Sequence, residues 1–167
     1  MKRIITWYMR YFSYVIKHRR YIRKISKTMW MYRKVLFHDL SKFHPAEYKY
    51  YMRFFSLWDK NIEKEFNVAW NRHQNINKHH YQYWVLIEDN GSMIVLDMPE
   101  RYIKEMLCDR RAVWYWFSIN KEEFLTDPRK EVSERYRKNK TNYKKYMSPN
   151  TIAYIETFLN SKRICDS

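Results

Sequence analysis

Apolar and aromatic residues recur at alternating steps of four and three along the first part of the chain. The stripe consists of Ile4, Tyr8, Tyr11, Val15, His18, Ile22, Ile25, Met29, Tyr32 and Leu36. This spacing places all ten on one face of a single long helix. Every member is apolar or aromatic except His18, so we expect His18 to point into the protein interior.

Further helices are predicted for most of the remaining chain. Pro45 in a first turn favours one helix start. A second helix start is favoured at Asp97, because Glu100 follows three residues later. This spacing is typical of an N-cap residue and its reciprocal glutamate. We predict these helices over residues 45–58, 62–74, 97–117, 129–146 and 149–161.

One segment has the pattern of a small β-hairpin. Asp89-Asn90-Gly91 is a turn signal between two apolar runs, which predicts a two-stranded ribbon within residues 83–96. The whole chain contains one glycine and four prolines, too few for the tight turns of an all-β fold. We therefore predict an all-α helical bundle with a small hairpin, forming a single domain over residues 1–167.

The charge is strongly positive and unevenly spread. The net charge is +15, and residues 1–37 carry eleven Lys and Arg with no Asp or Glu. A second basic stretch covers residues 129–145. Such a field attracts phosphate-bearing partners, such as a nucleotide or nucleic acid. The simplest alternative is a basic surface without a partner.

The chain contains no run of about eighteen apolar residues, so the sequence predicts no membrane-spanning helix. With two cysteines and no signal peptide pattern, we expect a cytoplasmic protein.

Several polar residues are expected to face inward and could form a metal site. They are His18, the adjacent pair His38 and Asp39, His73, His79, His80 and Asp109. Imidazole nitrogens and carboxylate oxygens suit a divalent transition metal such as Mn, Fe, Co, Ni or Zn. Lys42, three residues after Asp39, is placed to meet a phosphate oxygen or the attacking water. The alternative without metal is a buried polar network, or a solvated loop over residues 73–80.

The motifs resemble a known superfamily. The pentapeptide HDLSK at residues 38–42 is similar to the HD-x-x-K motif of the HD superfamily of metal-dependent phosphohydrolases. The resemblance implies an HD-type all-α bundle in which His18, His38, Asp39 and Asp109 are the primary metal ligands. The chain also resembles an uncharacterised family of phage and bacterial proteins over residues 14–117, through HDLSKF, HQNINKHHYQYW and MPERYIKEMLCD. That resemblance implies a phage-encoded protein in the cytoplasm of a bacterial host.

A second metal ion is left open. Two-metal members of the HD superfamily add a later histidine and a His-His pair, which would be His73 and His79-His80 in this chain. Their spacing is closer here than in those relatives. In an unbroken helix, His73 and His80 would lie about 10 Å apart and could not share one ion. We therefore expect one ion, or two.

The resemblance implies hydrolysis of a phosphoester in a nucleotide, a cyclic or oligomeric nucleotide, or single-stranded nucleic acid. Asp39 and Lys42 would be catalytic, and Glu105 and Asn77 would support the ligands. We expect the substrate phosphates to meet Arg19, Arg20, Arg72 and Lys78. Two alternatives remain: a di-iron oxygenase of the same fold, similar to myo-inositol oxygenase, and a non-enzymatic basic module that binds nucleic acid or protein and is braced by metal.

Overall fold

Six α-helices and one short hairpin form the described part of the chain in a computed structural model. The described residues are 2–28, 37–57, 60–117 and 128–161. The helices are α1 (Lys2–Thr28), α2 (Pro45–Leu57), α3 (Glu63–Ile76), α4 (Glu100–Phe117), α5 (Pro128–Tyr146) and α6 (Pro149–Asn160). Strands β1 (Val85–Ile87) and β2 (Met93–Val95) pair antiparallel. The prediction of an all-α fold with a small hairpin is confirmed.

Helix α1 buries its predicted stripe over about four turns. The buried members are Tyr11, Val15, His18, Ile22 and Ile25, each at most 4% exposed. Tyr8, at 39% exposed, lies where the stripe leaves the core. The side chain of Ile4 and the residues Met29, Tyr32 and Leu36 lie outside the described residues. His18 is thus an imidazole fully enclosed between apolar neighbours on one helical face.

Two apolar clusters form the core, and α1 contributes to both. The first gathers residues of α1, α4, α5 and α6, including Ile22, Ile103 and Ile155. The second gathers residues of α1, α2 and α3, including Val15 and Tyr51. His18 falls between Val15 and Ile22 in sequence, so its imidazole lies where the two clusters meet. This junction contains the polar residues described below.

The helix boundaries differ from the predictions where local hydrogen bonds decide them. Helix α4 begins at Glu100, three residues after the predicted cap, because the carbonyl of Pro99 accepts the first helical hydrogen bond from Ile103. Asp97 instead accepts a hydrogen bond from Asn150 at the start of α6 (2.9 Å). Helix α3 extends to Ile76, two residues beyond the predicted end. Residue 58, the predicted end of α2, lies outside the described residues.

The hairpin is shorter than the predicted 83–96 segment. A short 3₁₀ turn, Tyr81–Trp84, precedes β1. The turn between the strands closes at Gly91, whose φ of 83° suits a residue without a Cβ atom. None of the helices in the described residues is long and apolar enough to cross a membrane.

Candidate metal centre

Five separate segments deliver polar side chains to the junction of the two clusters. Helix α1 provides His18, the turn before α2 provides His38 and Asp39, and α4 provides Asp109. Helix α3 provides His73, and the turn that follows it provides His79 and His80. The residues of this set are His18, His38, Asp39, His73, His79, His80 and Asp109, all buried except the half-buried His80. The structure therefore brings together all seven predicted ligands.

Asp39 lies in an unusual backbone conformation. Its φ and ψ of 55° and 25° fall in the left-handed region, and it is the only non-glycine residue with positive φ among those described. Aspartate tolerates this region better than most residues because its short polar side chain can bond locally. The carbonyl of Asp39 then accepts a hydrogen bond from the backbone N–H of Lys42 (3.1 Å), which closes the turn. Such conformations persist at functional sites when the surrounding structure enforces them.

The four predicted primary ligands form one donor group. Oδ2 of Asp39 lies 3.5 Å from Nε2 of His18 and 3.3 Å from Nε2 of His38. Oδ1 of Asp109 lies 3.0 Å and 3.3 Å from the same two nitrogens. Donors about 2.1 Å from a common ion are separated by roughly 3–3.5 Å, so this spacing suits a single divalent ion.

A second donor group surrounds the other oxygen of Asp39. Oδ1 lies 3.3 Å from Nε2 of His73 and 3.5 Å from Nε2 of His79. Donor atoms of Asp39, His73, His79 and His80 all lie within 4.8 Å of one another. Helix α3 ends at Ile76 and the chain reverses, so the rings of His73 and His80 have centroids only 4.8 Å apart. The separation of about 10 Å applies only to an unbroken helix, and α3 ends before His80, as predicted.

Four of the buried side-chain atoms without a hydrogen-bond partner in the described residues lie together in this second group. Oδ1 of Asp39 and the Nε2 atoms of His73, His79 and His80 are buried and have no hydrogen-bond partner among the described residues. Buried polar groups without partners are rare in folded proteins because their desolvation is not compensated. A divalent ion with nitrogen and oxygen ligands would satisfy all four atoms at once. The donor set therefore fits a metal.

Glu105 lies behind one histidine from each group. Its Oε1 is 2.9 Å from Nδ1 of His38 and 3.4 Å from Nδ1 of His79. By accepting the Nδ1 protons, this carboxylate leaves both Nε2 atoms facing Asp39, where they could bind a metal ion. Burial opposes the charge of Glu105, but hydrogen bonds from His38 and His79 outweigh it and lower its pKa to about 2. Glu105 therefore has the supporting position that was predicted for it.

Glu47 plays the corresponding part for His73, and sequence reasoning missed it. Oε2 of Glu47 lies 2.9 Å from Nδ1 of His73, and the hydroxyl of Ser41 donates to the same oxygen (2.9 Å). Asn77, predicted to support the ligands, donates to Oγ of Ser41 and to the carbonyl of His73 (2.9 Å each). A glutamate in a first helical turn is ordinarily explained by the helix dipole, so nothing in the spacing linked Glu47 to His73.

The carboxylates of this centre are charged, and two of its histidines are neutral. Burial favours protonation of both carboxyl groups, but neighbouring charges and hydrogen bonds outweigh it and hold both pKa values well below the usual range. For Asp39 the main opposing cause is His38, and for Asp109 it is the hydrogen bond from His18, followed by that from His38. Burial and adjacent histidines lower the pKa of His79, and that of His80 to about 2. His79 and His80 are therefore neutral imidazoles, the form that binds metals.

The predicted phosphate-binding residues occupy different environments. Lys42 is 8% exposed and forms an ion pair with Oδ2 of Asp39, which places its ammonium beside the donor groups. Arg72 forms an ion pair with Glu47. Arg20 and Lys78 are exposed, and the half-buried Arg19 lies over the ring of Phe43. Among the ion pairs of the described residues, Lys42 is the one of these five basic residues that pairs with a predicted metal ligand.

The comparison with protein families gives one match. The sequence pattern of a family of unknown function, DUF5662, matches residues 8–161. The chain belongs to this family. The DUF5662 segment includes every candidate ligand from His18 to Asp109. No curated protein and no solved structure matches the chain significantly.

Proposed function

We propose that this DUF5662 protein is a metal-dependent phosphohydrolase whose centre holds two divalent ions bridged by Asp39. The observation that carries the proposal is that the two oxygens of the Asp39 carboxylate face different donor groups. Its Oδ2 faces His18 and His38, whereas its Oδ1 faces His73 and His79. The resemblance of HDLSK to the HD-x-x-K motif supports hydrolysis of a phosphoester over other metal chemistry.

The chain's own residues would each have a defined part in this reaction. The first ion would be held by His18, His38, Asp39 and Asp109, and the second by Asp39, His73, His79 and His80. When bound, a divalent ion lowers the pKa of a water ligand and polarises a phosphoryl oxygen. Glu105 and Glu47 hold the Nδ1 protons of His38 and His73. Lys42 is kept charged because Asp39 and Asp109 outweigh the effect of burial and raise its pKa, so it can stabilise negative charge on a phosphoryl group.

The test is phosphate release by purified, manganese-loaded protein from a panel of nucleotides, cyclic dinucleotides and oligonucleotides. We expect turnover of at least one substrate by the wild type and none by Asp39→Asn, which loses the negative charge between the two ions and one of the two oxygen donors. His44→Asn is the matched control, because His44 is exposed and Asn preserves a cap for α2. Metal-loaded protein without hydrolysis of any member of the panel would contradict the proposal.

The second donor group also favours an alternative, a di-iron oxygenase of the same fold. That reaction would need both ions, and the approach of His73 to His80 removes the spacing objection to it. Iron-loaded protein that consumes dioxygen in the presence of a polyol such as inositol, without releasing phosphate from any nucleotide, would favour the oxygenase. Phosphate release with manganese and no dioxygen consumption with iron would favour the hydrolase.

A further inference from the structure

An open cleft runs along α1 beside the candidate metal centre. Its volume is about 480 Å³, and the residues that line it are Thr6, Met9, Arg10, Ser13, Tyr14 and Lys17. Binding sites for small ligands and cofactors occupy about 300–1,000 Å³, so the cleft has the size of a binding site. Counted from Thr6, its lining residues lie at positions i, i+3, i+4, i+7, i+8 and i+11, and they therefore share one helical face. Only its edge at Tyr14 adjoins the stripe that packs into the core, whereas Thr6, Met9, Arg10 and Lys17 are exposed.

Tyr14 joins the cleft to the metal centre. Its ring stacks on the ring of His18, with centroids 5.8 Å apart and planes inclined by 24°. Nε2 of His18 is in turn 3.0 Å from Oδ1 of Asp109. A molecule in the cleft would therefore contact an aromatic ring that touches a predicted metal ligand.

The charge and length of the cleft indicate the kind of molecule that fits. Arg10 and Lys17 lie about 10 Å apart along the helix axis, and α1 contains no acidic residue. Thr6 is about 18 Å from His18 along the same axis, so a substrate that fills the cleft and reaches the centre must be extended. An extended polyanion with several phosphates matches both features, whereas a mononucleotide matches only the charge.

We propose that the cleft binds single-stranded nucleic acid, with phosphodiesters at Arg10 and Lys17 and an unpaired base at Tyr14. This inference rests on the proposed phosphohydrolase and names its substrate class. Aromatic side chains bind single strands because every base has a π-face, and bases within a duplex are already paired and stacked. The cleft thereby holds a strand along α1 against Tyr14, whose ring stacks on His18.

Binding is measured by fluorescence anisotropy with a labelled oligothymidylate, in chelator so that no cleavage occurs. The full-length variants are Arg10→Gln and Lys17→Gln, and the matched control is Lys138→Gln, an exposed lysine of α5. We expect each cleft variant to weaken binding several-fold and to reduce the slope of log affinity against log salt by about 0.7. The control should change neither. Equal weakening by Lys138→Gln would overturn the cleft, because binding would then be spread over the basic surface.

Stacking is tested separately at Tyr14. Tyr14→Phe should bind the oligothymidylate as tightly as the wild type, and Tyr14→Leu about five- to hundred-fold more weakly. Metal content, measured in parallel, should be the same in both variants. Thymidine monophosphate that binds as tightly as the oligonucleotide would overturn the proposal. The proposal would also be overturned if the protein bound anionic lipid vesicles through Arg10 and Lys17 but did not bind the oligonucleotide.

Failure of the cleft proposal and failure of the proposed function give different combinations of binding and hydrolysis. Loss of oligonucleotide binding in the cleft variants, together with no metal-dependent hydrolysis, would support the cleft and contradict the phosphohydrolase. Hydrolysis of small nucleotides that is unaffected by Arg10→Gln, Lys17→Gln and Tyr14→Leu would support the phosphohydrolase and contradict the cleft.

Discussion

Glu47 and His73 form a buried carboxylate–imidazole pair, with Oε2 of Glu47 2.9 Å from Nδ1 of His73. Neither residue has any exposed surface. Because Glu47 accepts the Nδ1 proton, Nε2 is the atom of His73 that remains to bind a metal ion, and it lies 3.3 Å from Oδ1 of Asp39. This pair therefore orients a donor of the second group.

Glu47→Gln should weaken metal binding at the second group and spare the first. The amide cannot accept the proton as strongly as the carboxylate, and partners of this kind typically contribute 10- to 100-fold in metal affinity. Competition with a chromophoric chelator measures the two affinities. Glu63→Gln, an exposed glutamate at the start of α3, is the control. An unchanged second affinity in Glu47→Gln would show that Glu47 does not orient His73.

Glu105→Gln should weaken both affinities. Its Oε1 faces Nδ1 of His38 from the first group and Nδ1 of His79 from the second. Chelator competition should therefore give two reduced affinities, each by roughly 10- to 100-fold, in contrast to the single loss in Glu47→Gln. Glu100→Gln, on the exposed side of the same helix, should retain both. A loss confined to one ion would contradict the shared position of Glu105.

Asp39 permits a test of the backbone as well as the carboxylate. Both Asp39→Asn and Asp39→Ala remove the bridging charge, but only Asn retains a side chain suited to the left-handed conformation. In chelator, where metal no longer contributes, urea denaturation should give Asp39→Asn a free energy of unfolding about 1 kcal/mol above that of Asp39→Ala. Equal values would mean that the φ of 55° carries no measurable cost for alanine.

Metal removal should lower the thermal stability of the wild type. An ion that binds only the folded chain stabilises it by about 2.7 kcal/mol at a hundred times its dissociation constant. Differential scanning calorimetry should therefore show a lower Tm after chelation and its recovery on adding manganese. Asp39→Asn should show neither change. A wild-type Tm that is insensitive to chelator and to added metal would indicate a buried polar network without an ion.

Sequence periodicity located part of the site for a clear physical reason. The stripe of α1 fixes which face is buried, so the inward position of His18 followed from the helical repeat alone. Its proximity to His38, Asp39 and Asp109 was implied by the family resemblance, since no periodicity connects separate elements. The all-α fold followed from the amphipathic segments and the scarcity of glycine.

The residues of the second donor group were predicted, but their close approach depends on where α3 ends and how the chain turns after it. No glycine or proline marks that point, and the helix stops at Ile76. The side chain of Asn77 then bonds the carbonyl of His73 (2.9 Å), which helps to terminate the helix and turn the chain. A difference of one turn would have separated His73 from His80. The contact between Glu47 and His73 depends in the same way on how α2 packs against α3.

The central claim is that two ions share Asp39, and counting the metal bound per chain tests it most directly. Protein is loaded with manganese, desalted and measured by elemental analysis against protein concentration. The account predicts about two ions in the wild type and in His44→Asn, and about one in His80→Gln, which loses a donor of the second group alone. Wild-type protein without bound metal, or with a stoichiometry identical to that of His80→Gln, would contradict it.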